Sequence, residues 1–390
     1  MIVTPLSGRP AAVRDALLSH GWEGDLARLT VGGLDGAAFH VTGIDARAVE
    51  TMVPLAARLG LELVTGEHWL ILIGGRSRLG AFARPWLQPE AVQELATAIG
   101  MALPPEGEQI WRHARGTLGV GRAVVVGVIN VTPDSFADGG KLLSVDAALR
   151  HADALLEGGA TVLDVGGEST RPGASAVPAD VECGRIVPVL EALARRHANV
   201  PLSVDTVHAM TATAAIAVGA CIVNDVTAGR HDRSLLQVVV EHGAGVVLSH
   251  SRGPLGRLAS YDAVDYGGDV TGSVVRELHD AMGAALAVGV PAAAIVLDPG
   301  FGFSKTPPQS LAVLNQLDAV VALGRPVLVG VSRKRFLGEA TGRPVDDRDR
   351  ATAAACALAF ERGARLFRVH DAAAVRDALA VAEAVTGPAA

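Results

Sequence analysis

The sequence of 390 residues is poor in several residue types, and each shortage excludes a class of protein. It contains three cysteines, Cys183, Cys221 and Cys356, which lie far apart and form no metal-ligand spacing. This pattern predicts buried thiols in a reducing compartment and argues against a disulfide framework. Aromatic residues make up only 4%, so we expect a core built from Ala, Val and Leu.

Positive charge and long apolar runs are also scarce. The net charge is -7, which argues against nucleic acid or an anionic membrane as the main partner. The start, MIVTPLSGRP, lacks a charged segment followed by an apolar run, so we expect no signal peptide and a cytoplasmic location. The most apolar stretch, residues 281–297, contains Gly283, Gly289 and Pro291. It therefore predicts a helix end, a turn and a buried strand, and no membrane span.

Residues 1–117 predict a small α+β domain of unknown role, separate from a second domain over residues 118–390. We expect no catalytic constellation in the first domain, and a packing module is the simplest interpretation. Its predicted helices and strands are Val13–His20, Ala37–Val41, Asp45–Leu59 with Asp45 as N-cap, Leu61–Val64, Trp69–Ile73 and Gln88–Ile99.

From Arg122 onward, apolar strands alternate with helices rich in Ala and Leu. Eight such units predict a (β/α)8 TIM barrel. An open Rossmann-type sheet is the alternative, but it would usually stop at five or six strands and would need a glycine fingerprint after the first strand, which is missing. The predicted strands are Ala123–Ile129, Thr161–Val165, Pro201–Val204, Cys221–Val223, Gly245–Leu248, Ala294–Leu297, Pro326–Val331 and Arg365–Val369.

Polar and charged residues follow every predicted strand, and in a TIM barrel these positions converge on one face. One aspartate after a strand is commonly a helix N-cap. Capping does not call for lysine or arginine, however, so the full set predicts a site. Its members include Asn130, Asp134 and Asp138, then Glu168, Thr170 and Arg171, then Asp205, Asn224, His250 and Asp298, and finally Ser332, Lys334, Arg368 and His370.

The residue types indicate which ligand this face would bind. Arg171, Lys334, Arg368 and His370 suggest an anionic group, either phosphate or diphosphate. Asp205, Asn224 and Asp298 are acceptors that could pair with the N–H edge of a flat heterocycle. Asn130, Asp134 and Asp138 offer the oxygen ligands that bind Mg²⁺ together with phosphates. Neither a Ser-His-Asp arrangement nor a G-x-S-x-G loop is evident, so we expect ionisation of a diphosphate ester and no covalent intermediate.

Several motifs together resemble the dihydropteroate synthases, a family of pterin-binding barrels. The resemblance covers residues 122 to 385. The motifs that carry it are NVTPDSFADGG from Asn130, ESTRPG from Glu168, SVDT from Ser203, Asn224-Asp225, LDPGFG from Leu297, GVSRK from Gly330 and RVHD from Arg368.

The resemblance implies the reaction and the substrates. The family joins 6-hydroxymethyl-7,8-dihydropterin diphosphate to 4-aminobenzoate, with Mg²⁺, and releases 7,8-dihydropteroate and diphosphate. The implied mechanism is SN1-like, through a pterin methylene cation. A homodimer is expected from the family as well.

The resemblance also implies a role for each matching residue. The implied catalytic residues are Asp205, Lys334, Asp138 and Asp134. The implied pterin contacts are Asp205, Asn224, Asp298, Lys334, Phe303 and Gly330. The implied diphosphate contacts are Asn130, Arg171, Arg368 and His370, with Asn130 also near the metal. The implied aminobenzoate contacts are Phe136, Thr170, Arg171, Pro172 and Ser332.

The sequence departs from the family pattern after its fifth strand, and two alternative functions remain. Ser249-His250-Ser251 replaces the Met-His-Met type of sequence that the family usually has after the fifth strand, so the pterin floor loses thioether contact. A folate-binding methyltransferase barrel would explain Asp205, Asn224 and Asp298, but not the residues that suit a diphosphate. A non-catalytic pterin-binding homologue is the other alternative, and Ser249 is its best support.

Overall fold

The structure is a computed structural model that describes residues 1–6, 10–21, 36–103, 110–131, 141–168 and 177–386. It divides into two compact units. The first comprises Met1–Glu106 and Asp318–Gly324, and the second comprises Gly107–Leu317 and Arg325–Ala390. The boundary that the sequence suggested after residue 117 stays a prediction, although residues 110–117 group with the second unit.

The first unit is a four-stranded antiparallel sheet with helices on both faces. Its strands are β1 (Ile2–Leu6), β2 (Gly36–Thr42), β3 (Glu62–Thr65) and β4 (Trp69–Gly75), in the order β1-β2-β4-β3. Its helices are α1 (Pro10–Ser19), α2 (Ala46–Leu59), α3 (Arg76–Phe82), α4 (Gln93–Ala102) and the short α11 (Asp318–Val321).

Alternation along β2 and β4 separates two apolar clusters in this unit. Phe39 and Leu72 pack with helices α2 and α4, whereas Ala38 and Ile71 pack with α1. Successive strand residues point to opposite faces of a sheet, which explains why neighbours join different clusters. Asp45 caps α2 as predicted, since its carboxylate accepts the Ala48 N–H at 2.8 Å. The α+β class of this unit is confirmed.

The second unit is a barrel of eight parallel strands. The strands are β7 (Val124–Asn130), β8 (Val162–Gly166), β9 (Leu202–Asp205), β10 (Ile222–Asp225), β11 (Gly245–Ser249), β12 (Ile295–Asp298), β13 (Leu328–Val329) and β14 (Leu366–Val369). The sheet order is β12-β11-β10-β9-β8-β7-β14-β13, and the parallel bridge between Leu297 and Val327 joins its two ends.

Helices follow the barrel strands along the chain, as a TIM barrel requires. They are α5 (Lys141–Glu157), α6 (Ala179–Arg196), α7 (Ala209–Ala217), α8 (Ser234–His242), α9 (Val270–Val288), α10 (Pro307–Asn315), α12 (Arg335–Thr341), α13 (Asp349–Glu361) and α14 (Ala372–Thr386). The predicted fold class, a TIM barrel preceded by a small α+β domain, is therefore confirmed.

Short 3-10 turns occur in both units, at Pro85–Leu87, Glu90–Val92, Leu255–Arg257, Ala292–Ala294 and Val345–Asp347.

A hairpin that the sequence did not predict packs against the interior of the barrel. It consists of β5 (Ile110–His113) and β6 (Gly116–Gly119), paired antiparallel. Trp111 is 1% exposed and joins the cluster that Val126, Val162 and Leu366 form inside the barrel. The Trp111 Nε1–H donates to the carbonyl of Ala294 at 3.0 Å. This hairpin therefore belongs to the barrel core.

The apolar stretch over residues 281–297 folds as predicted. Helix α9 ends at Val288, Gly289 caps it in the left-handed region, and β12 begins at Ile295. No helix within the described ranges has both the length and the apolar character that a membrane span needs.

Candidate active site

The polar residues of the barrel face inward, directly above its apolar core. Residues two positions apart on a strand share a face. On five strands, the apolar residue of the core cluster is followed two positions later by a polar residue. These pairs are Val162 and Asp164, Ile222 and Asn224, Val247 and Ser249, Val296 and Asp298, and Leu366 and Arg368. One layer of the interior is thus polar, near the carboxyl ends of the strands.

Arg368 connects two carboxylates within this layer. Its Nε donates to Oδ2 of Asp164 at 2.6 Å, and its Nη2 donates to Oδ2 of Asp205 at 2.6 Å. Burial raises the pKa of Asp205, against the opposing effect of the Arg368 charge. Burial alone would lower the pKa of Arg368, but the charges of Asp164 and Asp205 hold it above its ordinary value. The three side chains form a buried charged network across β8, β9 and β14.

Asn224 extends the network on the next strand. Its Nδ2 donates to Oδ2 of Asp164 at 3.3 Å. Asp164, at 1% exposed, was not among the predicted site residues, because it lies within a predicted strand and the predicted site residues follow strand ends. A signal was available: an aspartate within the apolar strand VLDVG, in phase with inward-facing Val162.

Asp298 is held by hydrogen bonds to both carboxylate oxygens. The Gly300 N–H donates to Oδ1 at 2.7 Å, and the Ser249 hydroxyl donates to Oδ2 at 3.3 Å. Burial raises the pKa of Asp298, and these hydrogen bonds and nearby lysines oppose the rise. Gly330 leaves space beside this carboxylate, since a Cβ at Gly330 would lie 4.0 Å from Oδ2.

Lys334 lies over a predicted site residue. Its Nζ is 4.2 Å from the centroid of the Phe303 ring, which is a cation–π distance. Burial lowers the pKa of Lys334 to about 8, while the negative charges of Asp298 and Asp205 act in the opposite direction. The five predicted residues Asp205, Asp298, Phe303, Gly330 and Lys334 are therefore linked by contacts or by electrostatic interaction.

Ser332 and His370, two of the predicted site residues, are in contact with each other. Nδ1 of His370 lies 3.0 Å from the Ser332 hydroxyl oxygen, and the His370 backbone N–H donates to the same oxygen at 3.2 Å. The residue between Ser332 and Lys334, Arg333, has a φ of 57° and makes a two-point ion pair with Asp349, at 2.8 Å for each contact. The ion pair helps hold an unfavourable backbone conformation, which sets the directions of the two neighbouring side chains.

A buried chain of ionisable groups adjoins Asp298. The sequence predicted His250 as a member of the site, but it did not predict the contacts of His250 with Lys305 and Glu277. Lys305 is 1% exposed, and its Nζ contacts Nδ1 of His250 at 2.8 Å and the carbonyls of Gly300 and Phe303 at 3.1 Å each. On the far side of the imidazole, Nε2 of His250 lies 3.1 Å from Glu277. Lys305 therefore stabilises the loop that follows Asp298 and connects it to His250.

Some predicted site residues lie outside the described residues. These are Asp134, Phe136 and Asp138 in the first loop, and Thr170, Arg171 and Pro172 in the second. Asn130 is described and half-buried at the end of β7, where it pairs in register with Gly166. Among the described residues, no three His, Cys, Asp or Glu side chains form a possible metal cluster.

The barrel is similar to known proteins. The family described as pterin binding enzyme matches residues 126–370. The dihydropteroate synthase of Mycobacterium leprae is 45% identical over 263 residues, which is 66% of this chain and 91% of that protein.

Two solved structures of the Xanthomonas albilineans dihydropteroate synthase are similar as well. The structure with 4-aminobenzoic acid is 43% identical, has a TM-score of 0.67 and matches 73% of this chain and 100% of that chain. The complex with 7,8-dihydropteroate is 40% identical, has a TM-score of 0.64 and matches 71% of this chain and 100% of that chain.

The chain therefore belongs to the family of pterin-binding enzymes. The relatives named above are dihydropteroate synthases, so the family resemblance that the motifs carry is confirmed.

Proposed function

We propose that this chain condenses 6-hydroxymethyl-7,8-dihydropterin diphosphate with 4-aminobenzoate to give 7,8-dihydropteroate and diphosphate. The observation that carries the proposal is the buried network of Arg368 with Asp164 and Asp205, at 2.6 Å for each contact, on the inner face of a barrel. The ligands of the Xanthomonas albilineans structures, 4-aminobenzoic acid and 7,8-dihydropteroate, are a substrate and the product of this reaction.

The pterin would occupy the interior, above the apolar layer. A pterin ring carries several N–H donors on one edge, and Asp205, Asn224 and Asp298 are acceptors that suit them. Phe303 and Gly330 would border the ring, with Lys334 beside it. Because both oxygens of Asp298 already accept a hydrogen bond, this carboxylate has a fixed orientation before a ligand arrives.

The diphosphate would lie at the carboxyl edge of the barrel, near Asn130, Arg171, Arg368 and His370. Arginine suits this role because its planar guanidinium can make two hydrogen bonds to one phosphate. His370 is held by its contact with Ser332 at 3.0 Å.

Mg²⁺ would be held by Asn130, with Asp134 and Asp138 ordering the first loop around it. Asn130 has the right chemistry and position, since it offers an amide oxygen at the end of β7, and Mg²⁺ characteristically binds through few protein ligands together with phosphates. When bound, the metal would neutralise charge on the leaving diphosphate.

The reaction would proceed by loss of diphosphate before attack. The bond between the pterin methylene carbon and the diphosphate oxygen breaks, and diphosphate keeps the electron pair. The amine nitrogen of 4-aminobenzoate then bonds to the methylene cation and loses a proton to solvent. Asp205 would stabilise the developing cation, an effect commonly worth about 3–4 kcal/mol for one well-placed group.

The aminobenzoate would bind at the outer edge of the site. Its contacts would be Phe136, Thr170, Arg171 and Pro172 from the two loops, with Ser332 near its carboxylate. Loops at this position can exclude water from a reactive cation. The homodimer and the cytoplasmic location stay predictions.

A turnover assay tests the proposal. Purified protein is mixed with the dihydropterin diphosphate, 4-aminobenzoate and Mg²⁺, and both diphosphate and dihydropteroate are followed, the latter by mass. We expect both products to appear in equal amounts and to require the amine. Pterin binding without either product would instead favour the non-catalytic or the methyltransferase alternative.

A further inference from the structure

Two buried acceptor atoms in the polar layer have no hydrogen-bond partner among the described residues. They are Oδ1 of Asp164 and Oδ1 of Asn224. A buried acceptor without a donor typically costs about 1–3 kcal/mol, so most such atoms in folded proteins are satisfied. Two of them on adjacent, connected side chains indicate that donors arrive from a ligand.

The orientation of Asn224 is fixed by its neighbour. Its Nδ2 donates to Oδ2 of Asp164. Exchanging the amide oxygen and nitrogen of Asn224 would place an acceptor against a carboxylate oxygen, which is unfavourable. The unsatisfied oxygen of Asn224 is thus a consequence of the network and not an arbitrary choice of amide orientation.

Arg368 contacts the other oxygen of Asp164. Its guanidinium lies between Asp164 and Asp205, bonded to Oδ2 of each, and its side chain is only 21% exposed. Oδ1 of Asp164 and Oδ1 of Asn224 are buried and take no part in these contacts. A ligand that donates hydrogen bonds to them can therefore bind while the ion pair of Arg368 stays in place.

We propose that Asp164 is a further pterin-binding residue, which accepts a ring N–H at Oδ1. This assignment rests on the proposed function. It gives Asp164 two partners in the complex: Arg368 at Oδ2 and the pterin ring at Oδ1.

The experiment separates direct binding from support of Arg368. Calorimetry measures the affinity of 6-hydroxymethyl-7,8-dihydropterin, which lacks the diphosphate, and of inorganic diphosphate. Both ligands are titrated into wild type, Asp164→Asn, Arg368→Met and the double variant. In Asp164→Asn, the amide oxygen should turn toward Nδ2 of Asn224, and toward Arg368 where that residue is present, so that its NH₂ faces the N–H donors of the pterin.

We expect Asp164→Asn to weaken pterin binding at least tenfold, in wild type and in the Arg368→Met background alike. The double variant also guards against misfolding, because it replaces a buried ion pair by neutral groups. Glu383→Gln is the matched control: it alters a carboxylate that accepts the Ala123 N–H before β7, and it should leave pterin affinity unchanged.

A different pattern would overturn the assignment. If Asp164 only orients Arg368, its substitution would weaken diphosphate binding and leave pterin affinity unchanged in the Arg368→Met background. Wild type that binds neither the pterin nor inorganic diphosphate would overturn the proposed function itself, and the Asp164 assignment with it.

Discussion

Nζ of Lys305 lies 2.8 Å from Nδ1 of His250, and both side chains are buried. All the described acceptors of this cation are neutral: the imidazole and the carbonyls of Gly300 and Phe303. Burial lowers the pKa of Lys305 to about 7 and the pKa of His250 to about 4. The network passes from Lys305 through His250 to Glu277, which Arg252 pairs at 3.0 Å.

The buried lysine predicts a pH dependence of stability. An unfolded lysine has a pKa of about 10.4. Between about pH 7 and pH 10 the unfolded chain holds a proton that native Lys305 has lost, so the free energy of unfolding should rise with pH. Lys305→Met should reduce this slope, and the part that remains above about pH 8 comes from Lys334, whose pKa burial lowers to about 8. Urea unfolding of both proteins across this range measures it, and parallel curves would show that Lys305 does not titrate as described.

Arg368 should contribute to stability as well as to binding. Arg368→Met leaves Asp164 and Asp205 buried without their cation, and breaking a buried pair in this way costs about 3–5 kcal/mol. Arg122→Met is the control, because its ion pair with Glu383 has an arginine that is 89% exposed and should contribute under about 1 kcal/mol. Equal losses in urea unfolding would contradict the account of the buried network.

Trp111 lies in the barrel core although it precedes the first barrel strand, so it should contribute strongly to the stability of the protein. Trp111→Ala should lower the free energy of unfolding by about 3–5 kcal/mol, since it empties a packed site. Ile110→Ala, at the neighbouring position on the exposed face of the same hairpin strand, should cost under about 0.5 kcal/mol. Similar stability of the two variants would mean that the hairpin does not pack as described.

Ser249 should contribute to pterin affinity through Asp298. Removal of its hydroxyl in Ser249→Ala deletes one hydrogen bond to a buried carboxylate, commonly worth about 1 kcal/mol, or about fivefold. We expect KM for the pterin diphosphate to rise by about that factor while kcat changes little. Ser249→Thr keeps the hydroxyl and should stay near wild type. A KM that is unaffected in Ser249→Ala would remove this role.

The barrel was predictable because its signals are local. Each barrel strand is rich in apolar residues, and polar residues stand at or near its carboxyl end. Strand β13 is the exception: Pro326–Val331 was predicted, but only Leu328–Val329 forms, and the chain joins β12 through a single bridge at Val327. Strand β1 and the hairpin of β5 and β6 were missed, since their short segments IVTPL, IWRH and GTLG carry no clear alternation.

The site was predictable where residues follow strands, and not where they depend on distant partners. Asp205, Asn224, Asp298 and Arg368 stand at or near strand ends, so counting along the chain found them. Asp164 lies within a strand and becomes significant only through Arg368, 204 residues away. The contact of Lys305 with His250 likewise joins two loops, and no local pattern encodes it.

The most direct test of the account is the turnover number of Asp205→Asn. The variant keeps the shape of the side chain but cannot present a full negative charge to a cation, so kcat should fall at least about a hundredfold with the fold intact. Glu339→Gln, which alters an ion pair with Arg335 on α12, should keep wild-type kcat. Wild-type kcat in Asp205→Asn would contradict the claim that the inner face of this barrel stabilises a pterin cation.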